Sequence, residues 1–232
     1  MEILETLTVS PNLKEIRTRL HIAKDREWRR VRDLIESVWP IIEPKAAYKA
    51  CPITSKHLAS VRLGPTCLKS RVLRRLLEQS QQVFPYVVTL GKKLEEKIRI
   101  SDDILEQYYL DTIGNFALSS LLIRMEDHLQ SRYGLQCISS MAPGSLADWP
   151  LEEQGPLFSI LGDVNSAIGV QLTEAFLMIP IKSESGIFFP TSEKFYSCQL
   201  CPRKDCVNRK AGDNEKAVAG MFGGAAKTAS AM

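Results

Sequence analysis

The chain has 232 residues, a formal net charge of +3 at pH 7, 44% hydrophobic and 25% charged residues. This composition is typical of one large globular domain, or one domain plus a small appendix, and argues against intrinsic disorder. No stretch approaches the roughly 18 apolar residues of a membrane helix, the start does not resemble a signal peptide, and the charge is too balanced to indicate nucleic-acid binding by itself. We therefore expect a cytoplasmic protein that binds neither membranes nor nucleic acids.

The first part of the chain is predicted to be helical and then irregular. Apolar residues at helical spacing indicate a helix from Asn12 to Val38. The excess of basic residues between Lys14 and Arg32 indicates either a solvated helix face with local ion pairs or a docking surface for an acidic partner. Residues 41–69 contain three prolines and a glycine and are expected to be irregular, with at most one short helix. We assign residues 1–69 to an N-terminal helical region.

Regular elements are predicted after residue 70. A helix over Arg71–Gln81 precedes a strand over Val83–Leu90, whose β-branched and aromatic residues are typical of strands. Pro85 places this strand at a sheet edge or near its own start. Ser101-Asp102-Asp103 is a typical helix N-cap, and the apolar period that follows predicts a long helix to about Ser131. Gly114 in that helix indicates a close packing contact or a cofactor contact.

The second half is predicted to contain short strands. A helix is expected over Pro150–Leu161. Strands are expected at Leu135–Ser139, Ile168–Leu172, Phe176–Ile179 and Gly186–Phe189. Helices in the first half and strands mainly in the second predict an α+β fold with a curved antiparallel or mixed sheet and flanking helices. Residues 212–232 are rich in Gly, Ala, Ser and Lys, and are expected to form a flexible tail.

Two polar loops are the candidate binding site, since the sequence contains none of the common catalytic motifs. In the first loop Pro143-Gly144 makes a bend, Asp148 is placed to cap the next helix, and Trp149 either packs inward or forms a platform. The second loop offers hydroxyl and backbone donors to a polar ligand, or is a simple hairpin connection. The candidate residues are Ala142, Pro143, Gly144, Ser145, Asp148, Trp149, Lys182, Ser183, Ser185 and Gly186.

Six ordered stretches between residues 70 and 195 carry a family resemblance. They are Val88-Thr89-Leu90-Gly91, Asp111-Thr112-Ile113-Gly114, Ala142-Pro143-Gly144, Asp148-Trp149-Pro150 with Gln154, Ile168-Gly169-Val170-Gln171-Leu172-Thr173, and the loop Pro180–Gly186. Together they resemble the activation domain of vitamin B12-dependent methionine synthase, and more closely its free-standing relatives in anaerobes. The resemblance implies an α+β core domain over residues 70–195, with a curved antiparallel sheet and flanking helices.

The resemblance also implies a ligand. In the family, the activation domain binds S-adenosylmethionine (AdoMet) and helps return an oxidised cobalamin to its methylated state. The family signature is an arginine, an alanine two residues on, and then Pro-Gly-Tyr. This chain keeps the alanine, proline and glycine but has Ser140 at the arginine position and Ser145 at the tyrosine position. Because serine cannot clamp a carboxylate as arginine does, these two replacements weigh against AdoMet binding by this chain.

A cysteine cluster follows the core. Cys198, Cys201 and Cys206 lie within nine residues. In a reducing compartment such spacing indicates a metal site more than a disulfide framework. An iron–sulfur cluster is the favoured interpretation, and structural zinc or free thiols are the alternatives. Either metal centre would need a fourth ligand from another cysteine, a histidine or another molecule. We assign residues 196–211 to a metal-binding segment.

These patterns predict an accessory protein of a corrinoid-dependent methyltransferase system. The chain would dock on a corrinoid-binding protein and deliver an electron from its iron–sulfur cluster to cob(II)alamin, with the two loops facing the corrinoid. Two alternatives stay open. One is an AdoMet-binding reactivation module with structural zinc, and the other is a non-catalytic module that binds a corrinoid protein. We do not expect a chain of 232 residues to be a complete methionine synthase.

Overall fold

The structure is a computed structural model that describes residues 1–5, 7–206, 209–212 and 214. The predicted tail, residues 212–232, lies outside the described residues apart from residues 212 and 214. The helices are α1 (Leu13–Arg19), α2 (Asp25–Val38), α3 (Arg71–Leu76), α4 (Lys93–Ile100), α5 (Ile104–Tyr133), α6 (Gln154–Leu161) and α7 (Val164–Ile168). Within these described ranges, none of the helices has the length and apolar content that crossing a membrane requires.

Eleven strands are assigned over the described residues. They are β1 (Glu2–Leu4), β2 (Lys45–Tyr48), β3 (Cys51–Pro52), β4 (Ser55–His57), β5 (Ser60–Leu63), β6 (Thr66–Lys69), β7 (Gln82–Thr89), β8 (Ile138–Met141), β9 (Gln171–Leu172), β10 (Met178–Ile179) and β11 (Ser183–Pro190). A six-stranded sheet has the order β1-β2-β7-β11-β8, with β3 also paired to β7. Smaller sheets have the orders β4-β5-β6 and β10-β9. The β8–β11 pair is antiparallel and aligns Met141 with Ile187.

The chain folds into two compact units, and each is built from three chain segments. The first unit contains Met1–Tyr48, Val87–Ser131 and Asp163–Glu184, and the second contains Lys49–Tyr86, Arg132–Gly162 and the chain from Ser185 onward. The strands β7 and β11 therefore each have residues in both units.

In the first unit, α5 forms because a good N-cap precedes a sustained apolar face. The carboxylate of Asp103 accepts the backbone N–H groups of Leu105 at 2.8 Å and Glu106 at 3.2 Å, which satisfies donors that a helix start leaves free. One helix face is fully buried through Leu110, Ile113, Ala117 and Leu121. Both the N-cap and the long helix that were predicted from the sequence are confirmed.

In the second unit, one apolar cluster joins strands and helices that are distant in sequence. It includes Val61, Leu73, Val83, Trp149 and Phe189, and all of these side chains are buried. Strand β5 contributes the alternate residues Val61 and Leu63, as strand geometry requires, and β6 contributes Leu68. This cluster is the core on which the first candidate loop and the cysteine segment pack.

Several local predictions are wrong. Residues 41–69 are not irregular, because they form β2 to β6, each only two to four residues long. The predicted helix from Asn12 to Val38 is broken into α1 and α2 around His21, which has a φ of 52°. Of the two positions predicted for Pro85, the sheet edge is wrong, because β7 lies between β2 and β11 in strand order, and Pro85 lies in the first half of β7. Ile168 ends a short helix rather than starting a strand.

The other predictions hold in outline. The predicted strand over Val83–Leu90 corresponds to β7, and the predicted helix over Pro150–Leu161 corresponds to a short 3-10 turn followed by α6. Gly114 packs closely, since a Cβ there would lie 2.9 Å from a methyl group of Leu94. Predicted strands near β8, β9, β10 and β11 are present with shifted bounds.

Candidate functional site

The loop Ala142–Trp149 follows β8 in the second unit and closes on itself. Gly144 has a φ of 81°, a conformation that suits glycine, and its N–H donates to the carbonyl of Trp149 at 2.8 Å. The carbonyl of Ala142 accepts both the N–H of Ser145 at 3.1 Å and its hydroxyl at 2.6 Å. The N–H of Gly144 and both the N–H and the hydroxyl of Ser145 are thus engaged within the loop.

Asp148 fastens this loop to α3. Its carboxylate accepts the backbone N–H of Val72 at 2.9 Å, the hydroxyl of Ser70 at 2.7 Å and the Nε–H of Arg71 at 3.0 Å. Burial acts to raise the pKa of Asp148, but these three donors outweigh it and the pKa lies below its usual value. The prediction that Asp148 caps the helix after it is wrong, because the side chain caps a helix some 76 residues earlier.

Trp149 packs inward. Its side chain has no exposed area and belongs to the apolar cluster of the second unit. Within the described part of the chain, its indole nitrogen has no hydrogen-bond partner, which is uncommon for a buried donor. Of the two roles predicted for Trp149, the inward-packed ring is the one observed, and the exposed platform is not.

Ser185 and Gly186 are buried in the second unit. The hydroxyl of Ser185 donates to Oε1 of Gln154 at 3.3 Å. A Cβ at Gly186 would lie 2.7 Å from the carbonyl oxygen of Met141 and 2.8 Å from the hydroxyl of Tyr86. Gly186 is therefore required for the close approach of β11 to its neighbours, whether or not it also contacts a ligand.

Lys182 and Ser183 belong to the first unit, and both are anchored. Lys182 is only 6% exposed. Its buried ammonium group donates to a carboxylate oxygen of Asp111 at 2.6 Å and to the amide oxygen of Asn115 at 2.7 Å. The hydroxyl of Ser183 donates to the carbonyl of Pro180 at 2.7 Å. Sequence reasoning missed Asn115 as a partner, although it lies one helical turn after Asp111 and the pair therefore shares one face of α5.

The backbone beside Lys182 is held as firmly as its side chain. The carboxylate of Glu95 accepts the N–H of Ile181 at 2.8 Å, and the carbonyl of Lys182 accepts the N–H of Leu90 at 3.0 Å. The second candidate loop is consequently fixed by contacts with α4, with α5 and with Leu90, the residue after β7.

The cysteine segment lies against the first loop within the second unit. The hydroxyl of Ser197 is 3.4 Å from that of Ser145, and Leu200 and Cys201 pack on the apolar cluster that contains Trp149. The N–H of Lys210 donates to the sulfur of Cys198 at 3.4 Å. The structure thus brings together two features that the sequence separates by about fifty residues.

The arrangement of the cysteines does not fit a metal centre. Over residues 1–5, 7–206, 209–212 and 214, no three side chains of His, Cys, Asp or Glu are grouped so that they could hold a metal ion. Cys198, Cys201 and Cys206 are all described, and each is a half-buried free thiol. The predicted iron–sulfur cluster and the alternative zinc site are therefore not supported by the geometry of this segment.

Two cavities of the second unit lie away from the first loop. A groove of about 510 Å³ is lined by residues that include Arg75, Glu78 and Glu193. A smaller cavity of about 220 Å³ is lined by residues that include Lys49 and Cys51, and burial raises the pKa of the Cys51 thiol. Neither lining includes residues of the loop Ala142–Trp149, so neither cavity supports the AdoMet-binding position that the resemblance implied.

Comparison with known proteins identifies the fold. No protein-family model matches the chain, and no curated protein matches it. Among solved structures, the chain is similar to the crystal structure of the MetH reactivation domain bound to AdoHcy, with a TM-score of 0.53 and 15% sequence identity. The match covers 84% of this chain and 81% of that one. The predicted α+β fold, with antiparallel sheets and flanking helices, is thereby confirmed as the fold of the MetH reactivation domain.

Proposed function

We propose that this chain is an accessory module that acts on the cobalamin of a partner protein and takes part in its reactivation. The observation that carries the proposal is the similarity to the MetH reactivation domain over 84% of the chain. The ordered motifs that resemble the activation-domain family support it independently, because they were recognised from the sequence. The expected partner is a corrinoid-binding protein of a methyltransferase system.

In this proposal the chain docks on the corrinoid-binding partner through a surface whose backbone is already ordered. The loop Ala142–Trp149 is a candidate docking surface because its polar contacts and the Asp148 clamp fix its backbone, while Gly144 and Ala147 are exposed. A surface that is already ordered loses less conformational entropy when a partner binds. The chemistry of reduction or methylation at cobalt would come from the cobalamin and from an electron or methyl donor.

AdoMet binding by the chain itself is the second candidate function. It is favoured by the AdoHcy in the related structure, and the structural zinc that the sequence analysis joined to it is not supported by the cysteine geometry. Against it, Ser140 and Ser145 replace the arginine and tyrosine of the family signature, and Ser145 donates within its own loop. We therefore expect AdoHcy to bind no more tightly than about 1 mM in calorimetric titration.

The sequence analysis also predicted that an iron–sulfur cluster delivers an electron to cob(II)alamin, and our proposal does not include this reaction. Its ligands would be Cys198, Cys201 and Cys206, whose described arrangement does not fit a cluster. Iron and sulfide analysis of protein purified without oxygen tests it directly. A non-catalytic corrinoid-protein binding module is the remaining alternative, and association without any effect on cobalamin reduction would favour it.

The test is association with a cobalamin-binding protein loaded with cob(II)alamin. We expect the wild-type chain to bind. Ala147→Arg should weaken binding by at least about tenfold, because the long charged side chain would project from the loop into the contact with the partner. Ala23→Arg is the matched control, because Ala23 is an equally exposed alanine outside the second unit. Equal loss with both variants, or no binding of the wild-type chain, would contradict the proposal.

A further inference from the structure

Cys198 and Cys201 are joined by a tight turn. The N–H of Cys201 donates to the carbonyl of Cys198 at 3.3 Å, and Cys198 itself lies in a 3-10 turn over Ser197–Gln199. Four-residue turns of this kind hold the first and fourth Cα atoms within about 7 Å. A disulfide needs Cα atoms roughly 4.4–6.8 Å apart. The two thiols are therefore within reach of a bond that requires only local movement.

The two thiols have different surroundings. Cys201 packs beside Leu200 on the apolar cluster of the second unit. The sulfur of Cys198 accepts the backbone N–H of Lys210 at 3.4 Å. Of these two half-buried thiols, Cys201 is therefore the one packed on the apolar cluster, and Cys198 is the one outside it, one turn away.

Cys206 does not complete a trio in the described residues. Its carbonyl accepts the N–H of Arg209 at 3.0 Å, but no group of three potential ligands forms around it in the part of the chain that the structure describes. The geometry thus favours a pair of sulfurs over a metal-binding set.

We propose that Cys198 and Cys201 form a redox-active dithiol–disulfide pair that exchanges with low-molecular-weight disulfides such as glutathione disulfide. The sulfur of Cys198 attacks the small disulfide, whose S–S bond breaks and releases one small thiol. The sulfur of Cys201 then attacks the mixed disulfide at Cys198 and releases the second small thiol. The protein loses two electrons and two protons, and the two released thiols carry both.

The two cysteines lie next to the first loop, so a change in their redox state alters residues that contact this loop. Ser197, which precedes Cys198, has its hydroxyl 3.4 Å from the hydroxyl of Ser145. Cys201 shares its apolar cluster with Leu146 and Trp149. Formation of the disulfide changes the side-chain positions on this contact. The inference goes beyond the proposed function and does not depend on it.

The experiment uses the full chain, reduced, treated with a chelator and equilibrated in glutathione buffers of increasing oxidation. Free thiols are then alkylated and counted by mass spectrometry. We expect two of the six cysteines to become protected together, with the disulfide mapped to Cys198 and Cys201 by peptide analysis. Cys206→Ser should leave this unchanged. Cys201→Ser should stop the exchange at a glutathione adduct on Cys198.

Three outcomes would overturn the inference. The first is six alkylated cysteines in the most oxidising buffer. The second is a disulfide that maps to Cys206 or to one of the isolated cysteines. The third is stoichiometric iron or zinc in the untreated protein together with protection of Cys198, Cys201 and Cys206. Because the disulfide is mapped on the wild-type chain, the inference can be tested even if a variant fails to fold.

Discussion

A buried ammonium group fixes the second candidate loop. Removing a lysine charge from water is costly unless donors and acceptors match inside the protein. Lys182 meets this requirement through Asp111 and Asn115, which lie on the same face of α5. Gly114 leaves room for the lysine stem, since a Cβ there would lie 3.1 Å from its Cε. These contacts of Lys182 therefore hold the second candidate loop against α5.

Asp111→Ala is expected to destabilise the protein. The variant leaves Lys182 with one described acceptor, and the lysine side chain is only 8% exposed, whereas that of Asp111 is 52% exposed. Because water can partly replace the carboxylate, we expect the free energy of unfolding to fall by about 1–3 kcal/mol in urea titration. Asp127→Ala, on an exposed part of the same helix, should change it by less than about 0.5 kcal/mol. Equal effects of the two variants would argue against the anchoring role.

Asp148 should contribute a pH-dependent part of the stability. Its pKa is lowered in the folded state, so its contribution is complete above the unfolded-chain value of about 3.9 and is lost as pH falls through the lower folded-state pKa. Asp148→Ala should lower the free energy of unfolding at neutral pH by about 1–2 kcal/mol, as loss of a helix cap does. The gap between variant and wild type should narrow in urea titrations carried out below a pH of about 4.

Asp33→Ala is the control for this comparison, because Asp33 is an exposed aspartate on α2, and an exposed substitution of this kind should change the free energy of unfolding by less than about 0.5 kcal/mol. A constant gap between Asp148→Ala and wild type across the acid range would show that the Asp148 carboxylate has no special role in the folded state.

At the scale of the elements, the long helices and strands could be predicted from sequence and the short strands could not. The helix α5 has thirty residues and β7 has eight, so their apolar patterns extend over enough positions to be distinctive. The strands β2 to β6 have two to four residues each, too few for an alternation to stand out among prolines. These strands are stabilised by tertiary pairing, which local sequence does not record.

The same limit applies to the candidate site. Sequence reasoning selected Asp148 as a helix cap and Lys182 as part of a polar loop, both within stretches that carry the family resemblance. Their partners lie on α3 and α5, about seventy residues away or more, and no local rule connects them. That these residues bind a ligand stays a prediction, while their structural contacts are observed.

Gly186→Ala tests how closely β11 must approach its neighbours. The added Cβ would lie 2.7 Å from the carbonyl oxygen of Met141 and 2.8 Å from the hydroxyl of Tyr86, and a strand backbone cannot shift without disturbing its pairing. We expect the free energy of unfolding to fall by about 1–3 kcal/mol in urea titration. Gly212→Ala is the matched control, because an added Cβ there meets nothing within 4 Å. A neutral effect of Gly186→Ala would show that the sheet yields more readily than its packing indicates.

At the scale of the whole molecule, the fold is shared although few residues are identical. A chain that is 15% identical to the MetH reactivation domain has the same fold over most of its length. Volume and polarity patterns can persist while identities change, because cores tolerate extensive apolar substitution when total volume is kept. Because sites and folds vary independently, the shared fold by itself does not assign the neighbour's ligand to this chain.

The interleaving of the two units has a consequence for how the protein can be dissected. Each unit draws on three separate stretches of chain, so no single truncation or protease cut releases either one intact. Expression of residues 1–131, for example, supplies two stretches of the first unit without the third, together with one stretch of the second. Separating the units would require new peptide links between distant ends, as in circular permutation.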